Sequence, residues 1–140
     1  MSGAYSTLSS VQRSRLITYT FVITNVSTLS DTNVVMTGSI PALHIRTELI
    51  CEITPIWASS GIPFAAGGDY GCGYVSSPTY PVMAPGEVRV LTWLVQTERW
   101  VSGNIYNYAH ARSDGSALRL TLDNIIYRIL LPLIYRDTEY

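Results

Sequence analysis

Leu16-Ile17-Thr18-Tyr19-Thr20-Phe21-Val22-Ile23-Thr24-Asn25 decides how the rest of the chain is read. Ile17, Tyr19, Phe21 and Ile23 fall on one side of a period-two pattern and Thr18, Thr20, Val22 and Thr24 on the other, which reads as a strand with one face in a core. β-Branched and aromatic residues fill the stretch, as a pleated, half-buried surface favours. Val26 to Thr32, rich in Ser, Thr and Asp, reads as a turn. Asn33 to Ser39 follows as a second strand, ended at Ile40-Pro41 because proline has no N–H to give to a ladder.

Further along, Ile45 to Ile53 alternates Ile45, Thr47, Leu49, Cys51 and Ile53 against Arg46, Glu48, Ile50 and Glu52, and is expected to be one strand with its charged side in solvent. Ala84-Pro85-Gly86-Glu87 reads as a tight turn in which Pro presets φ and Gly supplies a positive φ. It launches Val88 to Thr97, a strand apolar on both faces and therefore expected inside a sheet. Ile105–Arg112 and Ala117–Ile129 flank Ser113-Asp114-Gly115-Ser116, whose Asp-Gly pair suits a type I′ hairpin. No stretch sustains a 3.6-residue period. Short strands at this spacing with turn signals between them predict an all-β, antiparallel sandwich of the immunoglobulin-like kind. Pro55 to Pro81, punctuated by five glycines and four prolines, reads as a long irregular insertion, the type of segment that tends to carry contacts. The expected organisation is an N-terminal arm over 1–13, a sandwich over 14–128 and an extended C-terminal strand or arm over 129–140.

Thr18-Tyr19-Thr20 with Thr24-Asn25, Asn33-Val34, Ile40-Pro41, Ala84-Pro85-Gly86-Glu87 and Asn107-Tyr108-Ala109 stand in the order found in a known family. Over residues 14 to 113 the chain resembles the conserved-repeat immunoglobulin-like domain of unknown function, found in bacterial and archaeal surface proteins and in some virion proteins. It has Val26-Ser27 where that family has an early Gly, and Gly38-Ser39 where the family has an Asp near the apolar-Pro pair. The resemblance implies a structural or adhesive module with no active site to carry over. It also implies a cysteine pair in this part of the domain, so Cys51 and Cys72 are candidates for a disulfide, with two reduced thiols as the alternative. Such a bond would remove about 3 kcal/mol of denatured-state entropy.

The composition narrows the partners. The 140 residues carry 14% charged side chains, against about 25% in ordinary soluble domains, so the surface is easily covered by a neighbour. All nine basic residues are Arg, whose planar, weakly hydrated fork suits interfaces better than Lys does. A net charge of −1 without any run of like charges argues against nucleic acid as a partner. The first ten residues lack the basic and apolar regions of a secretory leader, which reads as a product released in the cytoplasm or a mature form already trimmed. The apolar stretch from Ile125 to Tyr135 is broken by Arg128 and Pro132 and is too short to span a bilayer.

Candidate chemistry is sparse. His44 and His110 stand alone, without metal-ligand spacing. No Gly-x-Ser-x-Gly elbow is present, and Gly67-Gly68-Asp69-Tyr70-Gly71 fits neither a phosphate loop nor a calcium loop. Asn25-Val26-Ser27 matches the glycosylation sequon. No catalytic residue, metal site, cofactor or small-molecule substrate is expected. Contact residues are expected instead among Trp57, Tyr70 and Tyr74, because Tyr and Trp supply large area with few rotors. They are also expected in the apolar tail, at Leu130, Leu131, Leu133, Ile134 and Tyr135.

Together these features lead to the expectation of a non-enzymatic structural protein of a large assembly. The leading form is a bacteriophage capsid decoration protein located in the virion, with copies of itself and a major capsid protein as partners. The alternative is a secreted bacterial or archaeal surface or filament subunit joined by strand addition. A third class, a carbohydrate-binding module, requires Trp93 and Trp100 to face solvent together.

Overall fold

The computed structural model describes residues 4–40, 42–45, 48–50, 53–60, 72–97, 103–115 and 117–126, with side chains over 6–40, 53–60, 72–97 and 107–115. The strands, in chain order, are β1 (Ala4–Arg13), β2 (Leu16–Asn25), β3 (Asp31–Ser39), β4 (Ala42–Ile45), β5 (Glu48–Ile50), β6 (Ile53–Ala58), β7 (Tyr74–Ser76), β8 (Tyr80–Met83), β9 (Val88–Thr97), β10 (Gly103–Arg112) and β11 (Ala117–Ile126). They form two antiparallel sheets. One has the order β1-β2-β9-β6. In the other, β10 pairs with β11 along one edge and with β3 and β4, end to end, along the other, while β7 and β8 extend β3 and β5 extends β4. Strands A, B, E and D of an immunoglobulin constant-type domain correspond to β1, β2, β9 and β6, and C, F and G to β3, β10 and β11. The chain is an immunoglobulin-like β-sandwich.

The core lies between the sheets. Ile17, Tyr19, Phe21 and Ile23 of β2 and Leu91, Trp93 and Val95 of β9 face Val34 and Met36 of β3 and Ala109 and Ala111 of β10, all of them buried. The aromatic side chains come from the four-stranded sheet, and its partner answers with Val34, Met36, Val75 and Met83 beside the two alanines, so that two layers about 10 Å apart interdigitate. The Trp93 indole lies directly over Gly38, where an added Cβ would meet the ring carbons at 2.4 Å. It stacks on Tyr19 with centroids 5.4 Å apart, and its Nε1–H donates to the Ser39 carbonyl at 3.1 Å. Gly38-Ser39 therefore serves Trp93, the glycine by leaving room for the ring and the serine by its carbonyl.

Four expectations from sequence change. Residues 4–13 are not a separate arm: β1 is a full strand in continuous register with β2 from Ala4↔Asn25 to Arg13↔Leu16. Its inward positions include Ser6, Ser10 and Gln12 beside Leu8, which dilutes the apolar period. Ile45 to Ile53 is not one strand, since β4 and β5 pair with Ile45 opposite Glu48. A reversal of that length inverts the alternation, so residues assigned to opposite faces share one. The insertion is less irregular than expected: β6 contains Pro55, β8 contains Pro81 and β7 lies between them. Pro55 is tolerated because β6 is an edge strand with a register shift between Pro55 and Trp57. Finally, the Asp-Gly connection has four residues between Arg112 and Ala117, and Gly115 does not adopt the positive φ that a type I′ turn needs. Asp114 is instead tied to the start of β3, accepting from Thr32 Oγ1 at 2.7 Å and Asn33 Nδ2 at 2.8 Å. The expected C-terminal arm, 129–140, lies outside the described residues.

Candidate interaction surface

The motifs that carry the family resemblance turn out to be polar clasps of the scaffold. Asn25, 3% exposed at the end of β2, donates its side-chain amide to the carbonyls of Leu29 and Met83, both at 2.9 Å, and its Oδ1 accepts from Ser27 N and Oγ. Its backbone bonds to Gly86 and Glu87. Thr24-Asn25 and Ala84-Pro85-Gly86-Glu87 are thus two halves of one junction, in which Gly86 supplies the positive φ of 82°. Both amide hydrogens of Asn25 are engaged, so the sequon is closed to a glycan in the folded chain. At the other end, Ser39 Oγ donates to Asn107 Oδ1 and accepts from Tyr108 N, joining the end of β3 to Asn107-Tyr108 of β10. These residues hold sheets together and leave no reactive group presented to solvent.

The outer face of the four-stranded sheet is a different kind of surface. Because β1, β2, β9 and β6 are in register, the side chains opposite to the core form transverse rows. Val11, Thr18, Leu94 and Trp57 make one row across all four strands. Ser9, Thr20 and Thr92 make the next, followed by Thr7, Val22 and Val90. Thr24 and Val88 close one end, and Arg13, Leu16, Gln96 and Thr54 the other. Among these described positions Arg13 alone is charged, and it sits at the end beside the β1–β2 turn. The apolar members are open: Val11 is 62% exposed, Trp57 52%, Val90 49% and Val88 48%. The face thus mixes hydroxyl-bearing and apolar side chains, with Trp57 and Val11 at its margins, and carries one charge at one end. On the second sheet β10 buries Ala109 and Ala111, so the alternating His110 and Arg112 lie on its outward side.

Near the mouth of the core, Arg89 pairs with the Glu87 carboxylate and lies over the Tyr80 ring at 4.8 Å. Burial pushes the Tyr19 phenol well above its ordinary pKa. Among the described residues no group of three or more His, Cys, Asp or Glu is placed to hold a metal ion, and no helix is long and apolar enough to cross a membrane.

The structure distributes the expected contact residues unevenly. Trp57 belongs to the uncharged face, while Tyr74 is half-buried on β7 of the opposite sheet. Tyr70, Leu130, Leu131, Leu133, Ile134 and Tyr135 lie outside the described residues. Cys72 is disulfide-bonded; Cys51, the other cysteine of the chain, lies outside the described residues. Trp93 is fully buried, which removes the paired tryptophan platform required of a carbohydrate-binding module. Val11, Leu16, Val88, Val90 and Leu94 were missed as surface residues. The apolar outer side of Val88 to Thr97 reads as the sign of a strand inside a sheet, which β9 is, between β2 and β6, and only the threonines of the neighbouring strand signal that this side faces away from the core.

No family model matches the chain, and no curated protein does. Among solved structures, the chain is similar to part of the GH20 exo-β-N-acetylglucosaminidase of Vibrio harveyi in complex with N-acetylglucosamine, at 13% identity and a TM-score of 0.47 over 85% of this chain. The chain spans 17% of that enzyme's length. It is also similar to the GAE domain of GGA2p from Saccharomyces cerevisiae, at 8% identity and a TM-score of 0.44, covering 92% of this chain and 94% of that one.

Proposed function

We propose that this chain is a non-enzymatic structural subunit of a large assembly, in the first instance a capsid decoration protein of a tailed bacteriophage. In that role it stabilises the shell in contact with copies of itself and a major capsid protein. The observation that carries the reading is the outer face of the β1-β2-β9-β6 sheet, a surface whose described positions carry no charge except Arg13 at one end, so that covering its centre desolvates no charge. The seven positions of a constant-type sandwich are all filled by the chain's own strands. A complete sandwich has no vacancy for a donated strand, which favours docking by a face over completion by a neighbour.

The surface or filament subunit is retained as a second reading because of one feature. β1 is an edge strand of ten residues with neither proline nor bulge against β2, the kind of edge that pairs with another chain when nothing blocks it. Negative-stain microscopy of native particles containing the chain separates the two. Icosahedral heads carrying it at regular stoichiometry support the decoration reading, and filaments support the second. Recovery of the chain solely as free monomer from its native source contradicts both.

A further inference from the structure

We propose that the outer face of the four-stranded sheet is a self-association surface, and that a second copy of the chain stacks on it across a two-fold axis. The inference deepens the reading of the chain as an assembly subunit and rests on it. Three observations select a second copy as the occupant.

The first is charge. Apart from Arg13 at one end, the described face offers no acid or base, so it presents nothing for an oppositely charged partner to neutralise. Stacked on itself, it brings no like charges together at its centre. The second is hydrogen-bonding chemistry. Its central row, Ser9, Thr20 and Thr92, consists of hydroxyls, and a hydroxyl both donates and accepts. Such a row is complementary to its own copy, as an interface in which each patch meets itself requires. A row of ammonium groups or carboxylates would lack that property.

The third is area. β2 and β9 run together from Leu16 to Thr24, about 30 Å at 3.3–3.4 Å per residue, and four strands 4.7–4.9 Å apart give a width of about 19 Å. Because β6 lies along β9 only over Ile53–Ala58, the footprint is roughly 500 Å² per copy, so a pair covers about 1,000 Å², at the threshold of specific protein interfaces. Aligned stacking of two sheets about 10 Å apart is the same packing that the sandwich uses internally. Trp57 and Val11, at opposite margins of one row, seal it against water.

Sedimentation equilibrium of the full chain tests this, with Thr20→Arg and Val90→Arg placing two guanidinium groups in each dimer. The wild type is expected to form dimers reversibly, and each variant to weaken them at least tenfold while keeping the wild-type circular dichroism. Iodide quenching of wild-type tryptophan fluorescence supplies a second readout that needs no folded Arg variant. Quenching is expected to fall as protein concentration rises, and that dependence to vanish in Trp57→Phe. If the wild type self-associates but neither the variants nor Trp57 respond, the inference is overturned while the assembly reading stands. A wild type that stays monomeric at millimolar concentration also overturns it, and the microscopy of native particles then decides the assembly reading separately.

Discussion

Gly38 and Trp93 occupy one volume between them, and the indole fits only because position 38 has no side chain. Gly38→Ala pushes a methyl group into a ring held from the other side by Tyr19 and fixed by its bond to the Ser39 carbonyl. Denaturant unfolding is expected to show a loss of about 1–3 kcal/mol or more, the range for overpacked cores; a variant as stable as the wild type would show that Trp93 has room to move. The same aromatic pair sets a pH response. Burial raises the Tyr19 phenol pKa above its unfolded value of 10.0, so folding favours the neutral form. The contribution is complete below the unfolded pKa and is lost as pH rises above it, with a slope approaching about 1.4 kcal/mol per pH unit for one group. Stability measured from about pH 9 to pH 11 should therefore fall less steeply in Tyr19→Phe than in the wild type. Equal slopes would show that another group governs the alkaline limb.

At the scale of elements, strands bounded by clear turn signals were legible, β9 among them at Val88–Thr97 although both its faces are apolar, whereas β1 and the β4–β5 reversal were not. β2 could be read from Leu16 to Asn25 because Ile, Tyr and Phe alternate with Thr, and its inward set in the structure is the one the alternation names. The turn at Ala84-Pro85-Gly86-Glu87 was legible because its proline and glycine each serve a defined φ. β1 escaped notice because serines occupy half-buried positions at its margin, where core contact is partial. The β4–β5 reversal was hidden by an apolar alternation that runs straight through it. The outer face was hidden for a related reason: Val88, Val90 and Leu94 on β9 look like core residues until the register with β2 and β6 sets them on the side opposite to the core. The β1–β2 hairpin carries a local cost as well, since Ser14 holds a φ of 56°. A left-handed residue other than glycine costs about 1–2 kcal/mol, partly offset by the greater unfolded-state entropy of glycine. Ser14→Gly is expected to stabilise the chain by about 0.5–1 kcal/mol in thermal unfolding, and a decrease would mean that the serine side chain holds the turn.

For the whole molecule, a sandwich complete in its own strands presents one outer face whose described positions are uncharged except for Arg13 at one end. The clasps at Asn25 and Asn107 give these short polar motifs a structural role, the first joining Thr24-Asn25 to Ala84-Pro85-Gly86-Glu87 and the second joining the end of β3 to β10. What then distinguishes this chain is which sheet it leaves open. Residue-resolved hydroxyl-radical footprinting of the chain in its native assembly, compared with the isolated chain, tests that assignment most directly. The account predicts that Trp57, Leu94 and Val90 lose most of their reactivity on assembly while His110, on the opposite sheet, changes less. Unchanged reactivity across the outer face of β2 and β9, with protection confined to the other sheet, would contradict it.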